Sequence, residues 1–125
     1  MILTQAKAKA LATQLNTAPK TLRIGPADYD VEYVEDGVVV EGDPNPKMGL
    51  CHANGEVIKI SVKYMASPVA LVSVLTHEAL HGIWHNQNLK PKAKEEEAVQ
   101  AIEVGLIQLF RDNPGFLDWI KKGLK

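Results

Sequence analysis

Two histidines stand four residues apart in the segment THEALH, residues 76–81, and a glutamate directly follows the first. Residues at this spacing lie above one another on a helix, so His77 and His81 present their imidazoles to one point. Neutral imidazoles are common Zn²⁺ ligands, and the carboxylate of Glu78 is placed to reach a water bound there. The pattern predicts one Zn²⁺ per chain, held by His77 and His81, with Glu78 as the general base of a hydrolysis.

A catalytic zinc site has three protein ligands and a water, so the histidine pair needs a third ligand. His85 continues the four-residue spacing of the pair. At ~1.5 Å per residue, however, it lies about 12 Å from His77 along the helix axis. Both cannot bind one ion at a Zn–N distance of about 2 Å, so His85 is excluded as the third ligand.

A run of three glutamates opens the next segment with helical periodicity and offers carboxylate ligands. Glu95 is three and seven residues before Ala98 and Ile102, which puts it on the apolar face of that helix. Glu96 lies only partly on this face, and Glu97 lies further around the helix from it. We therefore expect Glu95 to be the third ligand, with Glu96 as the alternative.

The histidines lie on a predicted helix, the motif helix, that begins at Ser67 and ends within residues 85–91. Serine is a favourable N-cap, and the following Pro68 suits the first helical position because no backbone donor is needed there. Apolar residues then recur at helical spacing, at Leu71, Val72, Leu75, Ala79 and Ile83. This periodicity predicts a helix with a buried side that packs on the rest of the domain.

Other segments also have the periodicity of regular elements. We predict a helix over residues 4–15, strands over 29–35 and 38–41 around an Asp36-Gly37 hairpin turn, a loop over 42–49, a strand over 57–62 and a glutamate-bearing helix after Pro91. The C-terminal piece is expected to dock Phe116, Trp119 and Ile120 and to expose Lys121 and Lys122. Together these predict one α+β domain over residues 1–125: a small twisted sheet, an N-terminal helix, the motif helix packed on the sheet, and the glutamate helix.

The net charge, the apolar runs and the cysteine count limit which partners and which compartment are expected. A formal net charge of -1 over 125 residues gives no electrostatic reason to expect nucleic acid or an anionic membrane as partner. No apolar run approaches the ~18 residues of a membrane span. The single cysteine, Cys51, cannot form an internal disulfide and suits a reducing compartment. We therefore expect a cytoplasmic protein whose partner is a protein or peptide substrate.

The segments THEALH, EEEAVQAI and EVIKIS together resemble the small gluzincin metallopeptidases, including ImmA/IrrE-like proteins and compact phage-encoded relatives. The resemblance runs from about residue 22 to residue 114, and its specific part is the histidine motif with the downstream Glu-x-x-Ala pattern. It implies a minimal zincin-like fold in which residues 56–62 form the edge strand that receives the substrate backbone. It also implies a phage or prophage origin, with the host cytoplasm as the compartment.

Carried over residue by residue, the resemblance implies that His77, His81 and Glu95 bind zinc. It implies that Glu78 is the general base. The expected function is that of a zinc-dependent metalloendopeptidase. The alternative is a non-catalytic zinc-containing regulatory or protein-binding module of phage or prophage origin.

One position of the family pattern differs in this sequence, and one role of the pattern is not assigned to a single residue. Gluzincins often place Asn or Asp four residues after the ligand glutamate. This sequence has Val99 or Gln100 there, depending on which glutamate is the ligand. Family members also use a tyrosine or histidine to stabilise the oxyanion. His52, Tyr64 and His85 are the candidates for that role.

Overall fold

Four helices and four strands make up the part of the chain that the computed structural model describes, residues 4–38, 47–63 and 65–125. In chain order they are α1 (Gln5–Asn16), β1 (Thr21–Ile24), β2 (Ala27–Val34), β3 (Gly49–His52), β4 (Val57–Ser61), α2 (Pro68–Asn86), α3 (Glu95–Asp112) and α4 (Pro114–Gly123). The α+β class expected from the sequence is confirmed, and α2 is the motif helix.

The strands form one mixed sheet in the order β1-β2-β4-β3. β1 and β2 are antiparallel, as are β3 and β4, whereas β2 and β4 run parallel in the centre. Gly25 has a φ of 59° and takes the first central position of the two-residue turn between β1 and β2, where a positive φ favours glycine. Within the described sheet, β3 is an edge strand and β4 is an inner one.

The helices cover one face of the sheet. Side chains of successive strand residues point to opposite faces, and here they alternate between buried and exposed. The buried side chains are Leu22, Ile24, Tyr29, Val31, Ile58 and Ile60. Their neighbours Arg23, Asp30, Glu32 and Lys59 are exposed on the other face. Leu71, Leu75 and Ile83 of α2 join the same core. This apolar layer fixes the motif helix against the sheet.

The helix boundaries follow the local signals of the sequence. The hydroxyl oxygen of Ser67 accepts a hydrogen bond from the backbone N–H of Ala70 at 3.2 Å, and Pro68 is the first residue of α2. The glutamate helix begins at Glu95, so its three acidic residues lie in the first turn, where the helix dipole favours them. Among the described residues, no helix combines the length and the apolar composition needed to cross a bilayer.

The C-terminal helix docks as the sequence predicts. Phe116 and Trp119 are buried, Ile120 is half-buried, and Lys121 and Lys122 are exposed. Gln14 of α1 donates from its side-chain amide to the carbonyl oxygen of Trp119 at 2.7 Å. The indole N–H of Trp119 donates to the carbonyl oxygen of Gln14 at 2.8 Å. These reciprocal buried bonds join the two ends of the chain.

The predicted hairpin around Asp36-Gly37 is wrong. The first of its strands is present as β2, but Val38, which would pair with Glu35 across a two-residue turn, exchanges its backbone hydrogen bonds with Lys47 instead. Val38 forms a single bridge with Lys47, and residues 39–46, which hold the rest of the second strand and most of the expected loop, lie outside the described residues. The hairpin turn is instead Gly25-Pro26.

The strand expected to receive a substrate backbone, residues 56–62, is present as β4 but does not lie at the sheet edge. It pairs with β2 on one side and with β3 on the other, so its backbone groups are used within the sheet. The strand at the edge is β3, which contacts α2. Periodicity identifies a strand, but distant segments decide which strands pair with it.

Candidate metal centre

The helix α2 holds the two motif histidines at the surface and its glutamate in the interior. His77 and His81 are exposed, whereas only 6% of the surface of Glu78 is accessible. Consecutive helical residues are about 100° apart, so Glu78 lies on the side of α2 that faces β3, next to the histidines. The histidines therefore form a ridge, called here the histidine ridge, with β3 on one side and α3 on the other.

The imidazoles of the histidine ridge converge. The Nε2 atoms of His77 and His81 are 3.2 Å apart, and the two rings lie edge to face with an interplanar angle of 74°. Two nitrogen ligands on one tetrahedral Zn²⁺, at Zn–N distances of about 2.0–2.1 Å, are roughly 3.3–3.4 Å apart. The pair therefore fits a single zinc ion as two of its ligands.

The carboxylate of Glu78 packs against the backbone of β3 at Gly49. Burial raises the pKa of Glu78, and the imidazoles of His77 and His81 act in the opposite direction. The thiol of Cys51, on the same strand, also responds to this carboxylate. Its pKa is raised to about 11, mainly by burial and further by the charge of Glu78.

A cleft of about 460 Å³ separates α2 from β3 and is called here the β3 cleft. β3 contributes Gly49, Leu50 and Cys51 to its walls, and α2 contributes both histidines, Glu78 and His85. A molecule bound in this cleft would contact the buried carboxylate and the convergent imidazoles together. The cleft thus brings a buried carboxylate and two convergent imidazoles to one surface.

A second depression of about 390 Å³, the α2–α3 groove, lies on the other side of the histidine ridge. Its walls are the two imidazoles and the apolar side chains of Leu80, Trp84 and Ile102. The helices are in close contact further along, where a Cβ atom on Gly105 would overlap the side chain of Ile83. A ligand from α3 would have to enter through this groove.

The structure does not bring the acidic run to the histidines. Glu95, Glu96 and Glu97 are exposed at the start of α3, and the α3 residue that lines the groove is Ile102. Glu95 lies on the same face two turns earlier, about 10 Å along the axis. Within the described residues, no group of three or more His, Cys, Asp or Glu side chains lies close enough together to hold a metal ion. The third ligand stays a prediction.

The chain was compared with family models, with curated proteins and with solved structures. None of them matches it. The chemistry of the site rests on its own residues: two imidazoles that converge on one point, a buried carboxylate directly after the first, and an open cleft along an edge strand.

The three oxyanion candidates have different positions. His85 lines the β3 cleft together with Glu78. His52 is the last residue of β3, and its Nδ1 accepts a hydrogen bond from the backbone N–H of Gly55 in the following turn at 3.0 Å. Tyr64 lies outside the described residues. Of the two described candidates, His85 is the one that faces the cleft.

Two residues of the site, Gly49 and Cys51, are not predicted from the sequence. The glycine ends a segment predicted as a loop, and neither residue belongs to a motif. Both reach the cleft because β3 pairs with β4 and lies beside α2. The signal is tertiary, since nothing within a few residues of Gly49 indicates that Glu78 will face it.

Proposed function

We propose that this chain is a zinc-dependent metalloendopeptidase that hydrolyses peptide bonds with Glu78 as its general base. The observation that carries the proposal is the 3.2 Å separation of the Nε2 atoms of His77 and His81, beside a glutamate that is buried on the β3 side. Convergent imidazoles and an adjacent carboxylate are the donor and base set that zinc hydrolases use.

In this mechanism the histidines hold the metal and the glutamate moves the proton. Zinc, when bound, supplies Lewis acidity and lowers the pKa of its water toward ~7. Glu78 takes a proton from the attacking water and later delivers it to the leaving amine. Burial raises the pKa of Glu78, which favours the protonated form that the second step needs. The imidazoles of His77 and His81 oppose this shift and so favour the charged form that the first step needs.

The proposed place for the substrate backbone is the edge of β3. Among the described residues, β3 has a partner strand only on its β4 side. An extended peptide can add to such an edge through main-chain hydrogen bonds. Bound along the β3 cleft, it would pass Glu78 and the histidine ridge, which is where a scissile peptide bond has to lie.

We propose Glu95 as the third zinc ligand, with Glu96 as the alternative. The support for Glu95 is helical periodicity, which puts it on the α3 face of Ile102; from its place two turns earlier, its carboxylate reaches the imidazoles only if α3 moves along α2 when zinc binds. Replacing the ligand by glutamine removes a charged donor, so Glu95→Gln should weaken zinc affinity by at least about tenfold. Competition titration with a zinc-binding dye measures this affinity, and Glu97→Gln is the matched control. A loss only in Glu96→Gln would move the ligand to that residue.

The hydrolysis is tested on a panel of denatured proteins and peptides. The zinc-loaded chain should cut them, a chelator should stop the reaction, and Glu78→Gln should lower the rate by about 100-fold or more because the base is gone. The variant should keep its zinc, since the ligands are unchanged. Undiminished cleavage by Glu78→Gln would contradict the general-base role. Bound zinc without cleavage of any substrate would favour the non-catalytic module.

A further inference from the structure

Gly49 of β3 is in contact with the buried side chain of Glu78 at the wall of the β3 cleft. A Cβ atom on Gly49 would lie 2.7 Å from Oε2 of Glu78, 3.0 Å from its Cγ and 3.1 Å from its Cδ. Ordinary Cβ contacts begin near 3.4 Å. The side chain of Glu78 therefore has to move when any other residue stands at position 49.

The backbone does not account for this glycine. Gly25 has a φ of 59°, in the region that favours glycine, whereas the φ of Gly49 lies outside that region. Gly49 pairs with Ile60 in a regular antiparallel ladder, a conformation that every L residue can adopt. What excludes a side chain at position 49 is the glutamate, not the strand.

We propose that Gly49 is a positioning residue for the general base: its missing side chain lets Glu78 lie against β3, beside the histidine ridge. The inference rests on the proposed function. Because only 6% of the surface of Glu78 is accessible, its side chain is enclosed by its neighbours. A methyl group at Gly49 would move its carboxylate oxygen by about 0.7 Å to restore ordinary contact.

The kinetic test is Gly49→Ala. A displacement approaching 1 Å at a reacting group costs about 100-fold in rate, so kcat should fall by about this factor while KM changes by less than about twofold. Adding Glu78→Asp, which shortens the side chain by one methylene, should recover at least about tenfold of the lost kcat. Gly115→Ala is the matched control, because a Cβ there meets nothing within 4 Å. A raised KM with unchanged kcat, or no recovery in the double variant, would overturn the positioning role.

A measurement without substrate tests the contact itself. In the metal-free protein, a nuclear Overhauser effect between the α-protons of Gly49 and the γ-protons of Glu78 should be strong. In Gly49→Ala the side-chain resonances of Glu78 should shift while those of the helix α4 stay in place. Absence of the effect in the unchanged protein overturns the inference. A strong effect in a zinc-loaded chain that cuts no peptide upholds the contact and contradicts the proposed function instead.

Discussion

His77 and Glu78 are neighbours in the sequence but lie in different surroundings. His77 points with His81 to the surface, where an ion can reach both imidazoles, whereas Glu78 points into the protein against β3. This separation follows from the turn of about 100° between consecutive helical residues. Adjacent positions of one helix can therefore carry an exposed imidazole and a carboxylate whose pKa is raised by burial.

The thiol of Cys51 lies in the same partly desolvated region as the carboxylate of Glu78. Its pKa is raised to about 11 by burial and by the charge of Glu78, so little thiolate is present at neutral pH. The thiolate is the reactive form, and below a pKa of about 11 its fraction rises about tenfold per pH unit. The alkylation rate of the folded protein should therefore rise about tenfold between pH 9 and pH 10. The rate constant with iodoacetamide as a function of pH measures this.

The urea-unfolded chain is the control for Cys51. Its thiol is exposed, so its alkylation rate should begin to level off near pH 9. Glu78→Gln should move the profile of the folded protein toward lower pH, since the neighbouring charge is removed. A folded protein whose rate levels off as early as that of the unfolded chain would show that the strand β3 does not bury this thiol.

At the scale of elements, the sequence predicts where a helix starts but not which strands pair with one another. The start of α2 is predicted correctly because an N-cap serine and a proline act within one turn. The order of the strands is not predicted, because β2 and β4 are neighbours although β3 lies between them in the chain. A hairpin signal such as Asp36-Gly37 carries no information about a distant segment that pairs with the next residue instead, as Lys47 does with Val38.

Some residues of the candidate site can likewise be predicted from local spacing, and others cannot. The histidine pair and Glu78 follow from spacing on a single helix, so the sequence alone predicts their arrangement. Gly49 and Cys51 enter the site through β3, and the place of an edge strand depends on the whole sheet. The third ligand depends on how α3 lies against α2, which helical periodicity restricts to one face but does not locate along the axis.

The contact between α2 and α3 depends on Gly105. A Cβ there would overlap the Cγ2 atom of Ile83, so Gly105→Ala should overpack the helix interface. Overpacking costs about 1–3 kcal/mol, against a gain of up to about 1 kcal/mol from the higher helix propensity of alanine. We expect the free energy of unfolding, measured with urea, to fall by about 1–2 kcal/mol.

The control for Gly105 is Gly115→Ala in α4, where the added methyl group meets no atom. That variant should be as stable as the unchanged protein or slightly more stable. If Gly105→Ala also increased stability, the helices would not approach each other as closely as the structure has them, and the α2–α3 groove would be wider than described.

At the scale of the whole molecule, the site joins segments that are far apart in the sequence. The edge strand β3, the histidine ridge and the face of α3 meet only when the sheet and helices are assembled around their common core. In the account proposed here, zinc therefore binds the folded chain far better than the unfolded one, and its binding free energy adds to stability. A metal that binds in this way should stay with the protein during purification.

The most direct test of the zinc site is the metal content of untagged protein, purified without added metal and measured by plasma mass spectrometry. The account predicts about one zinc per chain in the unchanged protein and a loss of that zinc in His81→Ala, because one imidazole of the pair is removed. No zinc in the unchanged protein, even after incubation with the metal, would contradict it. Full zinc content in His81→Ala would also contradict it, since His81 would then not be a ligand.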